Sequence, residues 1–258
     1  MSKLTRSLLV SLFALCIGSL MMAPAPPAKA QSVSVGADMV SRYVWRGTEL
    51  GGDDVAHIQP SLSYSEGGFT IGSWGSFGLG NGAGGGNVGT ELDLYASYAF
   101  DLGSSGSFSI GVTDYFFPSS SGEQGDFFNY AQADPSSGDS GAHVIEPNVS
   151  YTGPESFPIS LFAGIYAING FQDENPVWLE ASYPFSVKEV DMSLAIGGTP
   201  YDKETEYTDG DTDAGLTKVS LSATKSIEIT DSFSLPISGS YQFSPYFETS
   251  YFVFGISL

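Results

Sequence analysis

Two histidines, His57 and His143, are the side chains best suited to chemistry in this sequence, since histidine is the usual general base at neutral pH. A hydrolytic site needs such a base beside a serine nucleophile and a third group that orients the base. Neither histidine lies in a sequence that resembles such a set. We therefore expect both histidines at the outer ends of strands, in a protein that is no enzyme and uses no cofactor.

Cysteine and glycine chemistry is also limited. The one cysteine, Cys16, lies in an N-terminal segment that we expect to be removed, so the mature chain has no thiol for a disulfide, a metal site or a nucleophile. Glycines at 80, 82 and 85 match a G-x-G-x-x-G string, but they precede a strand-like pattern and no lysine lies among them. A phosphate site needs the amides of a helix N-terminus. The glycines therefore indicate an external loop.

Alternating carboxylates between Asp209 and Asp213 resemble a calcium-binding loop, because calcium takes several oxygen ligands at once. The EF-hand pattern is broken by Ala214 at its glycine position and by Ser220 at its closing glutamate. A solvated acidic loop is the preferred interpretation, and weak calcium binding stays open. The acids of this predicted external loop are Asp202, Glu204, Glu206, Asp209, Asp211 and Asp213.

The first thirty residues have the pattern of a secretory signal. Lys3 and Arg6 precede an apolar run, and Ala28-Lys29-Ala30 forms a small-residue cleavage motif. We predict a signal peptide at 1–30 and an outer-membrane β-barrel at 31–258. Without the signal, six basic residues remain against 29 acidic ones, a formal charge of about −23 that excludes nucleic acid as a partner.

Beyond residue 31, apolar side chains alternate with polar or small ones, which is the period of a β-strand. Leu92 and Leu94 share one face of such a run, and Glu91 and Asp93 share the other. These runs predict an all-β fold, a transmembrane antiparallel up-and-down barrel of about twelve strands. The predicted strands are 33–46, 56–65, 69–80, 90–100, 107–117, 143–152, 158–168, 176–185, 189–200, 215–228, 233–243 and 249–258.

Two further patterns favour a membrane barrel over a soluble acidic sandwich of the same composition. Tight links alternate with longer ones along the chain, with one short exception at 244–248, as expected for short periplasmic turns opposite longer external loops. Aromatic residues such as Tyr43, Trp45, Tyr98 and Phe100 lie near strand ends, where they are expected to form girdles at the membrane surfaces. A sandwich core would place them in mid-strand.

If Tyr43 and Trp45 face lipid, the charged residues beside them face the lumen. The barrel would then hold a narrow hydrated pathway, which we favour, or a closed plug of salt bridges. We expect Glu91 and Asp93 to neutralise the lumenal arginines, with Arg46 meeting Asp93. The residues predicted to line the lumen are Asp38, Arg42, Arg46, Glu91, Asp93, Glu180, Asp191 and Lys218.

Three segments resemble one family in combination. Ser41–Gly47 resembles the Y-x-[FW]-R-G opening of the TorF-type porins, bacterial outer-membrane proteins also known as Gcw-chp-like. Gly68–Ser76 resembles the glycine-tryptophan-serine strand of that family, and Glu91–Tyr95 its E-x-D-x-Y strand. The resemblance covers residues 41 to 98 and implies a barrel and a porin. It implies no catalytic residue.

The predicted function is passive diffusion of small hydrophilic solutes, with a preference for cations, across the bacterial outer membrane. The alternative is a non-conducting structural or adhesive barrel whose loop 118–142 binds a partner or folds inward. The expected partners are outer-membrane lipid, the solutes or cations themselves, and the barrel-assembly machinery. The last of these would recognise the C-terminal strand, where Phe252, Phe254, Ile256 and Leu258 share one face.

Overall fold

The computed structural model describes residues 31–50, 54–80, 89–118, 127–202, 207–209 and 214–258. The predicted signal peptide at 1–30 lies outside these residues. Regular structure in the described ranges is β-strand, apart from one 3₁₀ turn at Gly103–Ser105. No helix in these ranges is long and apolar enough to cross a membrane.

Fifteen strands, β1 to β15, follow one another along the described chain. They are, in order, Ser32–Val40, Tyr43–Trp45, Thr48–Leu50, His57–Glu66, Phe69–Gly78, Thr90–Asp101, Ser107–Phe116, His143–Thr152, Ser160–Ile165, Ile168–Asn169, Val177–Val187, Val190–Tyr201, Gly215–Thr230, Phe233–Ser244 and Thr249–Ser257.

Twelve of these strands close into one antiparallel barrel. Strand β1 pairs with β4 on one side and with the last strand, β15, on the other, and the β8–β9 pairing completes the ring. Strand β10 adds a short thirteenth strand beside β8. The closed ring confirms the predicted twelve-strand barrel and excludes a two-sheet sandwich.

The pleat of the barrel turns apolar side chains outward and polar side chains inward. On β6, Leu92 and Leu94 are 39% and 49% exposed, whereas Glu91 and Asp93 are 5% and 2% exposed. Buried polar and charged residues outnumber buried hydrophobic ones in the described chain. This distribution is the reverse of that in a soluble domain, and it is typical of barrels that face lipid.

Tight turns lie at one end of the barrel and the longer connections lie at the other. The β4–β5 turn uses Gly67 and Gly68, whose φ angles of 56° and 91° suit a two-residue hairpin. At the opposite end, the connection between β7 and β8 is described over residues 117–118 and 127–142. The predicted alternation of link lengths is confirmed for these connections.

One connection forms a second, separate sheet. The predicted first strand, 33–46, was too long, because β1 ends at Val40 and the chain then forms the two-stranded hairpin β2–β3. Arg46 and Gly47 make the hairpin turn with φ angles of 50° and 88°. A Cβ atom on Gly47 would lie 1.8 Å from the carbonyl oxygen of Thr217, so only glycine fits there. We call residues 43–50 the lumen hairpin.

Candidate functional site: a hairpin inside the barrel

The lumen hairpin extends into the barrel and contacts β13 on one side and β8 on the far side from β1. Its turn contacts β13, where the Thr217 hydroxyl donates a hydrogen bond to the Arg46 carbonyl over 3.1 Å. Tyr43 and Trp45 pack inward and do not face lipid: Tyr43 lies 5.6 Å from Trp74, measured between ring centroids. Their predicted place in a lipid-facing girdle was therefore wrong. The alternation of residues 43 to 46 belongs to the hairpin and not to the barrel wall.

Arg46 anchors the tip of the hairpin. Its guanidinium forms a salt bridge with Glu146 of β8, with 2.7 Å between Nη1 and Oε2, and it also contacts the Tyr207 hydroxyl. The guanidinium lies 4.3 Å from the ring centroid of Trp45 and 5.2 Å from that of Trp178. Both charged groups are buried. The ion pair and the aromatic faces together compensate a cation that has lost its water.

A cluster of aromatic side chains surrounds this ion pair. Tyr115 donates a hydrogen bond to Glu146 over 3.1 Å and packs against Trp45 with ring centroids 5.7 Å apart. Tyr166, Trp178 and Tyr207 complete the buried cluster. These side chains come from β7, β11 and two of the longer connections. The hairpin tip is thus held from several directions at the end of the barrel that carries the long loops.

Glu91 and Asp93 point inward as predicted, but their partners differ from those expected. Both lie beside Tyr43, and their carboxyl groups are within hydrogen-bonding reach of each other. The expected pairing of Arg46 with Asp93 was wrong, because Arg46 reaches past this wall to Glu146. These acids therefore contact the side of the hairpin and do not neutralise its arginine.

Arg42 lies at the base of the hairpin, off the barrel wall. It forms ion pairs with Glu49 on β3, at 3.2 Å, and with Asp54. Its guanidinium also lies 5.9 Å from the ring centroid of Tyr251. Because Asp54 is largely exposed, this network is partly in contact with solvent. Arg42 therefore fastens the base of the hairpin, and the expectation that Glu91 and Asp93 neutralise it was wrong.

A second buried ion pair lies on the neighbouring wall. Lys218 on β13 donates to Glu180 on β11 over 2.9 Å, across the small residue Gly197 on β12. Both side chains point into the lumen, as predicted. This pair is separate from the Arg46–Glu146 pair, and its own charges cancel.

The two remaining predicted lumen residues also face inward, but lie away from the hairpin tip. Asp38 follows the pleat of β1 and contacts Ser257 across the β1–β15 pair. Asp191 lies near the tight-turn end of β12 and accepts a hydrogen bond from Ser186 over 2.9 Å. Neither joins the other lumenal charges in one site.

The acidic loop is only partly described. Asp202 is fully buried and accepts hydrogen bonds from the Tyr207 amide, the Thr208 amide and the Thr208 hydroxyl, at 2.7 to 2.9 Å. It holds a turn and is not the solvated rim charge that was predicted. Asp209 is exposed and contacts the Tyr246 hydroxyl. Glu204, Glu206, Asp211 and Asp213 lie outside the described residues.

The connection before β8 covers the outside of the barrel. His143 pairs with Phe116 across the β7–β8 ladder, on the face opposite Tyr115, and Tyr130 stacks on its ring at 3.9 Å. Asp114 accepts hydrogen bonds from both His143 and Tyr130. Partial burial and this hydrogen bond raise the pKa of the Tyr130 phenol. Phe127 and Tyr130 of this loop therefore lie against the outer face of β7 and β8.

No group of three or more histidine, cysteine or acidic side chains in the described ranges is arranged to hold a metal.

A family model described as "Bacterial protein of unknown function (Gcw_chp)" matches residues 24–234. The chain belongs to this family. The match confirms the family that the three sequence motifs indicated. No curated protein matches the chain.

The three motifs that resemble the Gcw_chp family meet at one place in the fold. The first forms the hairpin turn, the second places Trp74 against Tyr43, and the third places Glu91 and Asp93 beside the same tyrosine. They therefore encode the hairpin and the wall that it leans on. The description of the Gcw_chp family names no activity, so the porin function implied by the resemblance stays a prediction.

Sequence reasoning missed the residues that receive the hairpin tip. Glu146 occupies an inward position on β8, between Ile145 and Pro147, so the rule that found Glu91 would also have found it. Trp178 holds an inward position next to Glu180 in the same way. Tyr207 carried no periodic signal, because it lies in a connection.

Proposed function

We propose that this protein is an outer-membrane channel for small hydrophilic solutes whose lumen is narrowed by its own hairpin. The proposal rests on the size and polarity of the side chains that face the lumen. Away from the hairpin contacts and the Lys218–Glu180 pair, small polar side chains occupy many inward positions, whereas a barrel meant only as a solid anchor would be filled with larger ones. Inward positions of this kind include Ser63, Ser97, Ser109, Ser150, Ser182, Ser193 and Thr224.

The outer face supports a location in a lipid bilayer. Exposed leucine, isoleucine, valine and aromatic side chains occur on the wall all around the barrel, including Val35, Ile71, Ile110, Leu194 and Phe254. Such a surface would drive association of the barrels in water, whereas lipid covers it. The twelve-strand ring leaves no open strand edge within the hydrocarbon layer.

The hairpin sets the size limit in this proposal. It occupies the half of the lumen nearest the longer connections, and its tip is fixed by a buried ion pair. Solutes must pass beside it or displace it. The conductance should therefore be small for a twelve-strand barrel, and it should rise when the hairpin is released.

A preference for cations is part of the proposal. The described loops at the hairpin end carry acids such as Asp134, Asp139, Asp173 and Glu174, and no lysine or arginine lies in the connection 118–142. A mouth with this charge concentrates cations over a screening distance of about 8 Å at physiological salt.

Planar-bilayer recording of the refolded mature protein tests the channel directly. We expect discrete, small conductance steps that are absent from bilayers without protein. A variant with residues 43–49 replaced by a glycine-serine linker is expected to show larger steps. Refolded barrel that inserts into liposomes but never conducts, with or without the hairpin, would favour the non-conducting alternative.

A further inference from the structure

The outer face of the barrel carries a histidine–aspartate pair among apolar side chains. On β7, the outward residues Ile110 and Val112 are 46% and 40% exposed, and Asp114 is the next outward position. His143 begins β8 on the same face, and its Nδ1 atom lies 2.7 Å from Asp114 Oδ1. A charge on the lipid-facing side of a strand destabilises a membrane barrel. A bare pair at this position would therefore be costly.

The acceptors around His143 require that the pair holds an extra proton. The Nε2 atom lies 2.8 Å from the backbone carbonyl oxygen of Phe127, which can only accept a hydrogen bond, so Nε2 carries a hydrogen. If Nδ1 carried none, its lone pair would face the Asp114 carboxylate at 2.7 Å. A proton therefore lies between Nδ1 and Oδ1, as in an imidazolium–carboxylate pair.

Aromatic rings close over this pair. The His143 ring is stacked between Phe116 and Tyr130, with ring centroids 4.6 Å and 3.9 Å away, and two such faces favour an imidazolium. The Tyr130 hydroxyl donates to the second oxygen of Asp114 over 2.9 Å. His143 is fully buried beneath this cover. Residues 127–130, which we call the aromatic segment, are thus fastened to the barrel wall through one shared proton.

The aromatic segment presents an exposed side at the boundary of the lipid layer. Phe128 is 83% exposed and packs edge-on against Phe127, with ring centroids 5.2 Å apart. Strand β7 has ten residues, the length with which a tilted strand crosses the hydrocarbon core, so Phe116 at its end lies near the boundary. Girdles of aromatic residues occupy this depth in outer-membrane barrels.

We propose that the aromatic segment is a contact with lipid of the external leaflet, and that the proton shared by His143 and Asp114 clasps it to the barrel wall. This inference rests on the proposed location in the outer membrane and not on conductance. The clasp holds while the pair keeps its extra proton. At higher pH the proton is lost, the Nδ1 lone pair faces the Asp114 carboxylate, and the segment leaves the wall.

Among the described residues around the pair, the other ionisable groups do not produce this pH dependence. Partial burial and the hydrogen bond to Asp114 raise the pKa of the Tyr130 phenol above its usual value, so this phenol keeps its proton at about pH 9. The neighbouring strands place Leu94 and Ile145 opposite Asp114, and neither ionises. Asp93 interacts with Asp114 through the wall, where a negative charge would strengthen proton binding at the pair.

Tryptophan fluorescence tests the lipid contact and the clasp together. The three native tryptophans, Trp45, Trp74 and Trp178, pack inside the barrel, so Phe128→Trp adds one outside it. The variant is refolded into liposomes whose acyl chains carry bromine. Quenching of the added fluorescence, relative to wild type, is measured at about pH 5.5 and about pH 9, on either side of the usual range of histidine titration.

Asp114→Asn in the Phe128→Trp background is the matched control. The new amide donates to the bare Nδ1 of a neutral His143 and still accepts from the Tyr130 hydroxyl, so the aromatic segment stays docked without an extra proton. Losing a hydrogen bond to a charged group shifts docking about tenfold or more. The Phe128→Trp fluorescence should therefore be quenched about twofold or more strongly at the lower pH, and equally at both pH values with Asp114→Asn.

The outcomes separate the two parts of the inference from the channel. Added fluorescence that bromine does not quench at either pH, in barrels that have inserted, would overturn the lipid contact. Quenching of Phe128→Trp that ignores pH, or that keeps its pH dependence with Asp114→Asn, would overturn the clasp. The expected quenching in barrels that never conduct would support this inference and overturn the proposed channel alone.

Discussion

Replacing Arg46 with alanine should release the lumen hairpin and increase conductance. The substitution removes the salt bridge to Glu146 and the contacts with the Trp45 and Trp178 rings. It leaves Glu146, which is fully buried, with an uncompensated charge. Breaking one side of a buried ion pair costs about 3–5 kcal/mol.

This cost translates into a large change in how often the hairpin is undocked. If the whole free-energy cost weakens docking of the hairpin, the undocked population rises about 10² to 10⁴-fold, since about 1.4 kcal/mol corresponds to a factor of ten. Single-channel recording should therefore show a larger conductance state that is rare in the wild type and frequent in Arg46→Ala. Arg42→Ala is the control, because its partly exposed ion pairs are worth only about 0–1 kcal/mol.

A double-mutant cycle identifies the partner. Glu146→Ala combined with Arg46→Ala leaves neither charge unpaired, so the pair should cost about 2–3 kcal/mol less than the sum of the single changes in urea unfolding. The same cycle with Asp93→Ala should be additive. Additivity at Glu146, or an Arg46→Ala channel with wild-type steps, would refute this account of the hairpin tip.

Three further outcomes are expected. Gly47→Ala should destabilise hairpin docking by about 1–3 kcal/mol, since the new Cβ meets the Thr217 carbonyl at a positive φ angle. Gly67→Ala is the control, because a Cβ at that position meets no atom. Equal midpoints of urea unfolding for the two variants would contradict the prediction. Lys218→Met should cost about 3–5 kcal/mol in urea unfolding by stranding buried Glu180, and adding Glu180→Gln should recover part of the loss. The reversal potential in asymmetric potassium chloride should indicate cation preference at low salt and a weaker preference at high salt; an anion-selective pore would show that the loop acids do not control entry.

Period-two alternation predicted the barrel because it is a local property of each strand. The face on which Glu91, Asp93, Glu180 and Lys218 lie follows from their position relative to apolar neighbours, and all four point inward. The number of strands follows from counting such runs. In the proposed lipid environment, closure of the ring then follows because an open sheet would leave unpaired strand edges.

The same rule failed at the lumen hairpin for a physical reason. Tyr43 and Trp45 have the same parity as the outward-facing residues of β1, and Arg42 and Arg46 have the parity of inward-facing Asp38, so the chain reads as one continuous strand. The only local sign of the hairpin is Gly47, whose freedom at positive φ allows the chain to reverse. Periodicity also says nothing about partners. Arg46 meets Glu146, one hundred residues away, only because the closed ring brings β8 to the far side of the lumen.

In the proposed channel, two chemically different walls of the lumen link the size of the pore to its selectivity. Glu91, Asp93 and Glu146 lie beside the docked hairpin on one wall, whereas the inward positions 220–224 of β13 and 238–244 of β14 carry uncharged serine, threonine and glutamine side chains. Arg46→Ala removes a cation from the lumen, and undocking of the hairpin then brings these three acids into contact with water. The enlarged state of Arg46→Ala should therefore prefer cations more strongly than the small wild-type state, because its path now runs along carboxylates. A hairpin held only by hydrophobic contacts would change the size of the pore on undocking without changing the charge of the lumen. The buried ion pair instead couples the size of the pore to its preference for cations, which is a physical reason for using it where a hydrophobic contact would dock the hairpin as firmly.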